Sequence, residues 1–566
     1  MPGEKRRLAF FALLIAAFAL LSYSQFFGIR LLEFDAVGKI ASHSSRSPAE
    51  IINILTQPEQ HYTLISTNYR PVQTLIQWAV FLLFGLDFSA FHWLNFLFHA
   101  VNSVLVFFVA RKLLGDKAGF FSFLAGLVFA LHPIHLNTVL FVSRVAELIV
   151  GFSLLSSLLL LMKSLEEKKP LFFLLSVVCC AIGVFSKETG LLIPFVLFFY
   201  ALVFSGEKRF RNAFSSSLRF CWPFFSLVAL YAALMFFSLG KAGGYLNVLP
   251  SPRSRIVLYF FQHLLYPVDF LKINFDGAVN SFFGLPGADP VFLVLFFAGC
   301  AIAVWFLSKN HGRKPLLFLL CWLLAFLFAL LAYNYVTPWY SYAPAIAFAL
   351  LSGLLLQKSA RISRKDFSTA AVAGIALSLF SLAAFSPLFA SYPSPKIAGD
   401  ITSLVLYQTA SEAARLPSAS ELYLVNYPVM LSAKENGFNY PAIMLNDQEI
   451  MAFLDFYLPE KKFSLRSLTM LVIVNPRQLD FEYLHDGNCA FVLQNNSVNS
   501  ARVYPLGPTW SGSQLRPIEG FNFKTAYGDG TESISIGLQK KDWRDSFLLV
   551  FDGKRVNVLG MAELCK

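Results

Sequence analysis

The chain reads as an all-α polytopic membrane domain of about eleven spanning helices, followed by a small extracytoplasmic C-terminal domain of α+β or β-rich character. Three observations predict this. Of 566 residues, 56% are hydrophobic and 14% charged, with mean hydropathy +0.59, which is more apolar side chain than one water-soluble core can hide. Apolar runs of near-spanning length recur from residue 8 to residue 389. After residue 390 the sequence turns mixed and polar, with short strand-like runs.

The apolar runs lie at 8–28, 89–110, 118–133, 139–162, 170–186, 190–205, 220–239, 290–308, 315–333, 341–357 and 367–389. The opening MPGEKRR and its long apolar run resemble a signal peptide, but no small-residue cleavage site follows, so a retained first span is expected. Val72 to Gly85, behind Arg70-Pro71, is short for a span and suits a juxtamembrane or re-entrant helix.

Charge decides its side. The net charge of +12 comes in short clusters between apolar runs, such as Lys5/Arg6/Arg7, Arg111/Lys112/Lys117 and Lys208/Arg209/Arg211, so it marks topology and not a nucleic-acid partner. With Val72–Gly85 outside the membrane, every cluster faces the cytoplasm; with it spanning, every cluster after the first faces the wrong way. This makes the N-terminus cytoplasmic and residues 1–389 a membrane domain with a first outer loop at 29–88 and a long outer loop at 240–289. Residues 390–566 become the extracytoplasmic domain, in a multi-pass protein of a prokaryotic plasma membrane or of the endoplasmic reticulum. In that domain Leu468–Val474 and Ala490–Leu493 read as strands, and Phe547–Phe551 before Asp552-Gly553 reads as a hairpin arm. Five of the seven cysteines lie in apolar runs without metal-ligand spacing.

Ionisable residues collect on the predicted outer side. Glu33 and Asp35 follow the first span, either as solvated loop acids or as a general base at the lipid–water boundary. Arg70, in Asn68-Tyr69-Arg70-Pro71, is either a phosphate clamp or an interfacial anchor. Arg144 and Glu147 are spaced to share a face of the fourth span and pair there. His132 and His135 lack the further ligands a metal site needs. Lys187, in the turn FSKETG with Glu188, breaks the positive-inside pattern, and either snorkels or neutralises a lipid-linked phosphate. Arg255 lies on an amphipathic stretch of the 240–289 loop and meets lipid phosphate or headgroups.

Five segments in order resemble a GT-C glycosyltransferase of the protein O-mannosyltransferase kind, and specifically the membrane portion of the tetratricopeptide-linked transmembrane O-mannosyltransferases and their prokaryotic relatives. They are Phe34-Asp35, NYRPV at 68–72, FHWLNFLFHAVNSVLVF at 91–107, HPIHLNTVLFVSRVAEL at 132–148 and FSKETGLLIPFVLFFY at 185–200. The resemblance covers the first 280 residues and leaves the tail untouched. It implies sugar transfer from a polyprenyl-phosphate donor to an acceptor protein, glycan or lipid, with Asp35 as base and Glu33 beside it. Arg70, Arg144, Lys187 and Arg255 then hold the donor phosphate, supported by Tyr69, His132, His135, Glu147 and Glu188. Family members often have two adjacent acids where this chain has Asp35-Ala36, so the resemblance leaves a divalent metal open and implies no other cofactor. Two other classes use a similar pattern: a lipid or solute transporter, and a ligase or polymerase of lipid-linked glycans.

Overall fold

The apolar runs form helices in the computed structural model, which describes residues 2–31, 36–61, 64–65, 68–115, 119–239, 256–257, 260, 264, 313–333, 338–359, 386–435, 438–443, 445, 447–473, 479, 481–485, 490–496, 501–505, 521–528, 531–539 and 543–564. The expected spans at 290–308 and, for nearly all its length, 367–389 lie outside the described residues, as do Glu33, Asp35 and Arg255.

Helix α1 (Pro2–Ser22) carries the N-terminal run. Two short helices, α2 (Ala36–Ser42) and α3 (Glu50–Thr56), and a two-stranded ribbon of β1 (Gln60–His61) and β2 (Leu64–Ile65) build the first loop. Helix α4 (Pro71–Phe84) starts on Pro71, whose missing N–H and fixed φ suit a first turn, and ends on Gly85 at φ 62°. Its bounds match the short apolar run seen in the sequence. Helix α5 (Phe88–Leu114) is capped by Asp87, which accepts from Ser89 N at 3.0 Å, and carries Arg111 and Lys112 in its last turn, where the helix dipole favours cations. Then come α6 (Gly119–Leu131), α7 (His135–Leu140), α8 (Val145–Glu167), α9 (Pro170–Val184), α10 (Ile193–Phe204), α11 (Phe210–Leu239), α12 (Arg313–Tyr333) and α13 (Tyr342–Ser359).

Among the described residues, five helical segments are long and apolar enough to cross a membrane, and four shorter apolar helices accompany them. The most apolar window of α8 is 78% buried and that of α11 17%, so α8 is the core of the bundle while α11 turns its apolar side outward, as a lipid-bathed helix does.

The expected fourth span, 139–162, is not one helix. The chain leaves helix at Phe141, makes a 3₁₀ turn at Val142–Arg144 and restarts as α8. Such a break inside an apolar bundle strands carbonyls, and amide side chains take them up. Asn95 Nδ2 donates to Val139 O at 3.1 Å and to Phe141 O at 2.9 Å, Gln77 Nε2 to Val142 O at 3.4 Å, and Gln73 Nε2 to Ser143 O at 3.5 Å.

The C-terminal part opens with α14 (Pro393–Ala413), and α15 (Asp447–Tyr457) follows later. Among the described residues, twelve strands, β3 (Glu421–Val425) to β14 (Val556–Gly560), form three four-stranded sheets. Strand β3 lies parallel to β13 (Ser546–Phe551) on one side and to β6 (Ser464–Ser467) on the other. The hairpin seen in the sequence pairs Phe551 with Val556 across a turn containing Gly553 at φ 93°. This part is tied at several points to the turn after α1 and to the first loop. Gln25 Nε2 donates to Pro387 O at 2.6 Å and Ala390 O at 3.0 Å, and its Oε1 accepts from Tyr392 N at 2.9 Å. Gly38 N donates to Glu449 Oε2 at 3.0 Å, and Phe81 meets Phe456 edge-on.

Candidate active site

Three segments converge at one end of the helical bundle: the loop entering α4, the restart of α8, and the turn between α9 and α10. A backbone bond from Val72 N to Phe185 O, 3.1 Å, joins the first to the third. Tyr69 is buried with its hydroxyl donating to Leu55 O at 2.7 Å, while the Tyr231 hydroxyl of α11 donates to Tyr69 O at 3.0 Å. Tyr69 therefore fixes the loop that presents Arg70. The turn is equally tight, since a Cβ on Gly190 would overlap Gly183 O.

These constraints place oppositely charged side chains together, away from water. Arg70 offers its guanidinium edge to Glu188, with Nε 3.2 Å from both carboxylate oxygens and Nη2 2.7 Å from Oε2. Its Nη1 stands 3.5 Å from Glu59, which also pairs with Lys39 at 3.4 Å. Lys187 Nζ lies 2.9 Å from Glu147 Oε1, and Thr189 Oγ1 donates to Glu147 Oε2 at 3.0 Å. Arg70, Lys187 and Glu147 are 3%, 2% and 1% exposed, so this network is buried. Removing ions from water costs several kcal/mol apiece, offset here by pairing and hydrogen bonds, and buried charge of this kind concentrates at functional sites.

The expected Arg144–Glu147 pair is replaced by another arrangement. Arg144 sits in the 3₁₀ turn and Glu147 in the first turn of α8, so the two do not share one continuous helix. Glu147 turns to Lys187, and the Arg144 guanidinium lies 4.1 Å from the centre of the Trp339 ring. Lys187 Nζ is 5.1 Å from the Tyr340 ring, so adjacent aromatics of one 3₁₀ turn (Pro338–Ser341) cover both cations.

Arg70, Arg144, Lys187, Glu147, Glu188 and Tyr69 thus come together. The histidines have other partners. His132 Nε2 bonds to Leu264 O at 3.0 Å, and His135 packs among Phe129, His99 and Tyr342, its ring 4.7 Å from that of Tyr342. Among the described residues no group of three His, Cys, Asp or Glu is arranged to hold a metal ion. The sequence reading missed Glu59 and Lys39, the amides Gln73, Gln77 and Asn95, and Trp339 and Tyr340. The amides carried a signal, being polar side chains inside apolar runs; Glu59 looked like any solvated loop acid.

Residues 68–238 match the model of the family described as dolichyl-phosphate-mannose-protein mannosyltransferase. Over 131 residues the chain is 34% identical to the protein O-mannosyl-transferase TMTC3 of Homo sapiens and to that of Mus musculus. The alignment takes in 22% of this chain and 14% of each relative. Among solved structures, ArnT from Cupriavidus metallidurans bound to undecaprenyl phosphate aligns with TM-score 0.44 and 14% identity, covering 83% of this chain and 95% of that one. The Archaeoglobus fulgidus oligosaccharyltransferase, in complex with Zn and sulfate, aligns with TM-score 0.42 and 13% identity, over 79% of this chain and 62% of that one. The segment holding Arg70, Arg144, Glu147, Lys187 and Glu188 is the segment the family model matches, and through it the chain resembles the GT-C glycosyltransferases of the protein O-mannosyltransferase kind.

Proposed function

We propose that the chain is a membrane glycosyltransferase that moves a sugar, a hexose such as mannose, from a polyprenyl-phosphate donor to a hydroxyl of an acceptor on the extracytoplasmic side. One observation carries the reading: within the family-matched segment, Arg70, Lys187 and Arg144 gather beside the ends of apolar helices, where the phosphate of a lipid-linked donor would meet protein. The proposed reaction is a single displacement with inversion. Asp35, carried over from the sequence, removes the acceptor hydroxyl proton as that oxygen bonds to the anomeric carbon; the anomeric carbon–phosphate oxygen bond breaks, and its electron pair leaves on the polyprenyl phosphate. Cations in a water-poor site stabilise the developing negative charge more than they would in water. A phosphate with several acceptor oxygens can draw on Lys187 and Arg70 while Glu147 and Glu188 hold them in place between turnovers.

The test is transfer from a radiolabelled mannosyl polyprenyl phosphate by purified protein. The expected result is release of free polyprenyl phosphate with label on the acceptor. Asp35→Ala, matched for thermal stability, is expected to lose about 10²–10⁴-fold in rate. Wild-type rates in that variant would overturn Asp35 as base, and translocation of intact donor would overturn the transferase reading.

A further inference from the structure

A groove of about 560 Å³ opens where the membrane helices meet the C-terminal part, within the ~300–1,000 Å³ of ordinary ligand sites. One wall is the α4–α5 turn with Phe84, Asp87 and Ser89, and the opposite wall is α14 and α15 with Tyr407 and Tyr457. Arg30 and Leu31, at the end of the first described segment, line it as well. Asp87 and Arg30 are exposed, and Tyr407 and Tyr457 are 48% and 40% exposed. The two tyrosine hydroxyls lie 3.2 Å apart, and both rings rest against Phe453, which holds them in place. The same α15 receives the Gly38 N–H of the first loop on Glu449, so groove and first loop form one packed unit.

We propose that this groove binds a saccharide, the glycan of the acceptor; as an acceptor site it rests on the transferase reading above. A sugar ring presents a face of C–H bonds and a rim of hydroxyls. Exposed tyrosine rings take the face, and a planar carboxylate and guanidinium take neighbouring hydroxyls. Arg30 and Asp87 carry opposite charges, which suits a neutral ligand. A peptide added as a β-strand would need a free strand edge, whereas these two walls are helices and a helix-to-helix turn whose backbone bonds are largely internal. A lipid tail would need a wholly apolar lining, and here an acid, a base and four hydroxyls stand among six apolar side chains.

The experiment uses the full chain in detergent, with mannotriose, maltotriose and chitotriose as probes and saturation-transfer NMR as readout. At least one trisaccharide is expected to bind, about tenfold or more weaker in Tyr407→Ala, and within about threefold of wild type in Tyr407→Phe, which keeps the ring. Asp87→Asn, which preserves the helix cap, is expected to weaken the same probe severalfold. Absence of binding by all three probes, or binding indifferent to Tyr407→Ala and Asp87→Asn, overturns the proposal. So does a Tyr407-dependent signal from a Ser/Thr-rich decapeptide or a short-chain phospholipid when the saccharides give none. Donor cleavage is scored separately: saccharide binding without cleavage would sink the transferase and leave the groove, and cleavage without saccharide binding would do the reverse.

Discussion

Lys187 stands 2.9 Å from Glu147, both all but excluded from water, while the next residue, Glu188, holds Arg70. Adjacent residues of one turn thus bind opposite charges on two other segments. This crossed arrangement links the α9–α10 turn to the start of α8 and to the loop before α4.

Removing one partner takes from the other its closest opposite charge in a buried setting. Lys187→Met or Glu147→Gln alone is expected to cost about 3–5 kcal/mol, read as a lowered thermal midpoint of the purified protein. The double variant is expected to recover most of that stability and none of the sugar transfer. Full activity in the double variant would remove Lys187 from the chemistry.

The break before α8 depends on its borrowed donors. Asn95→Leu leaves the Val139 and Phe141 carbonyls without their amide, an expected loss of about 1–3 kcal/mol. Gln77→Leu, which gives up two long bonds, 3.4 Å to Val142 O and 3.3 Å from Gln73 Nε2, is expected to lose less. Thermal denaturation of the two variants side by side checks the order.

Gly190 has no room for a methyl group. Alanine there would collide with the Gly183 carbonyl, so Gly190→Ala is expected to displace Lys187 and Glu188 and abolish transfer. Gly119→Ala, at the start of α6 with open space around it, is the control, expected to leave thermal stability within about 0.5 kcal/mol. Transfer assays and melting curves on both variants decide the point.

The proposed orientation predicts opposite labelling of two exposed positions. In a background lacking the seven native cysteines, Lys208→Cys is expected to react with a membrane-impermeant thiol reagent only after the cytoplasmic face is opened, and Arg415→Cys in sealed cells or right-side-out vesicles. Labelling of both from the same side would overturn the arrangement.

Much of this architecture was legible in the sequence because hydrophobic length is a local property. The run at 72–85 became α4 almost to the residue, and Asp552-Gly553 did turn a hairpin. The expected pairing of Arg144 with Glu147 was not, because it assumed an unbroken helix. What breaks the helix lies far away in the chain: Asn95 is 44 and 46 residues from the carbonyls it satisfies, and 3.6-residue periodicity carries no trace of that. Likewise Arg70 finds Glu188 across 118 residues, a partnership that only the packed bundle creates. Composition indicated that charges near the boundary would matter without indicating which carboxylate each cation would choose.

Gln25 fastens the backbone at residues 387, 390 and 392 to the far end of the first helix. The C-terminal part therefore begins beside the end of the first helix, and the strands beyond are moored there instead of trailing on a leash. A molecule arriving from outside meets two walls whose separation is already set. Recognition at that seam then follows the shape of the opening, and reach along a flexible tether contributes nothing to it.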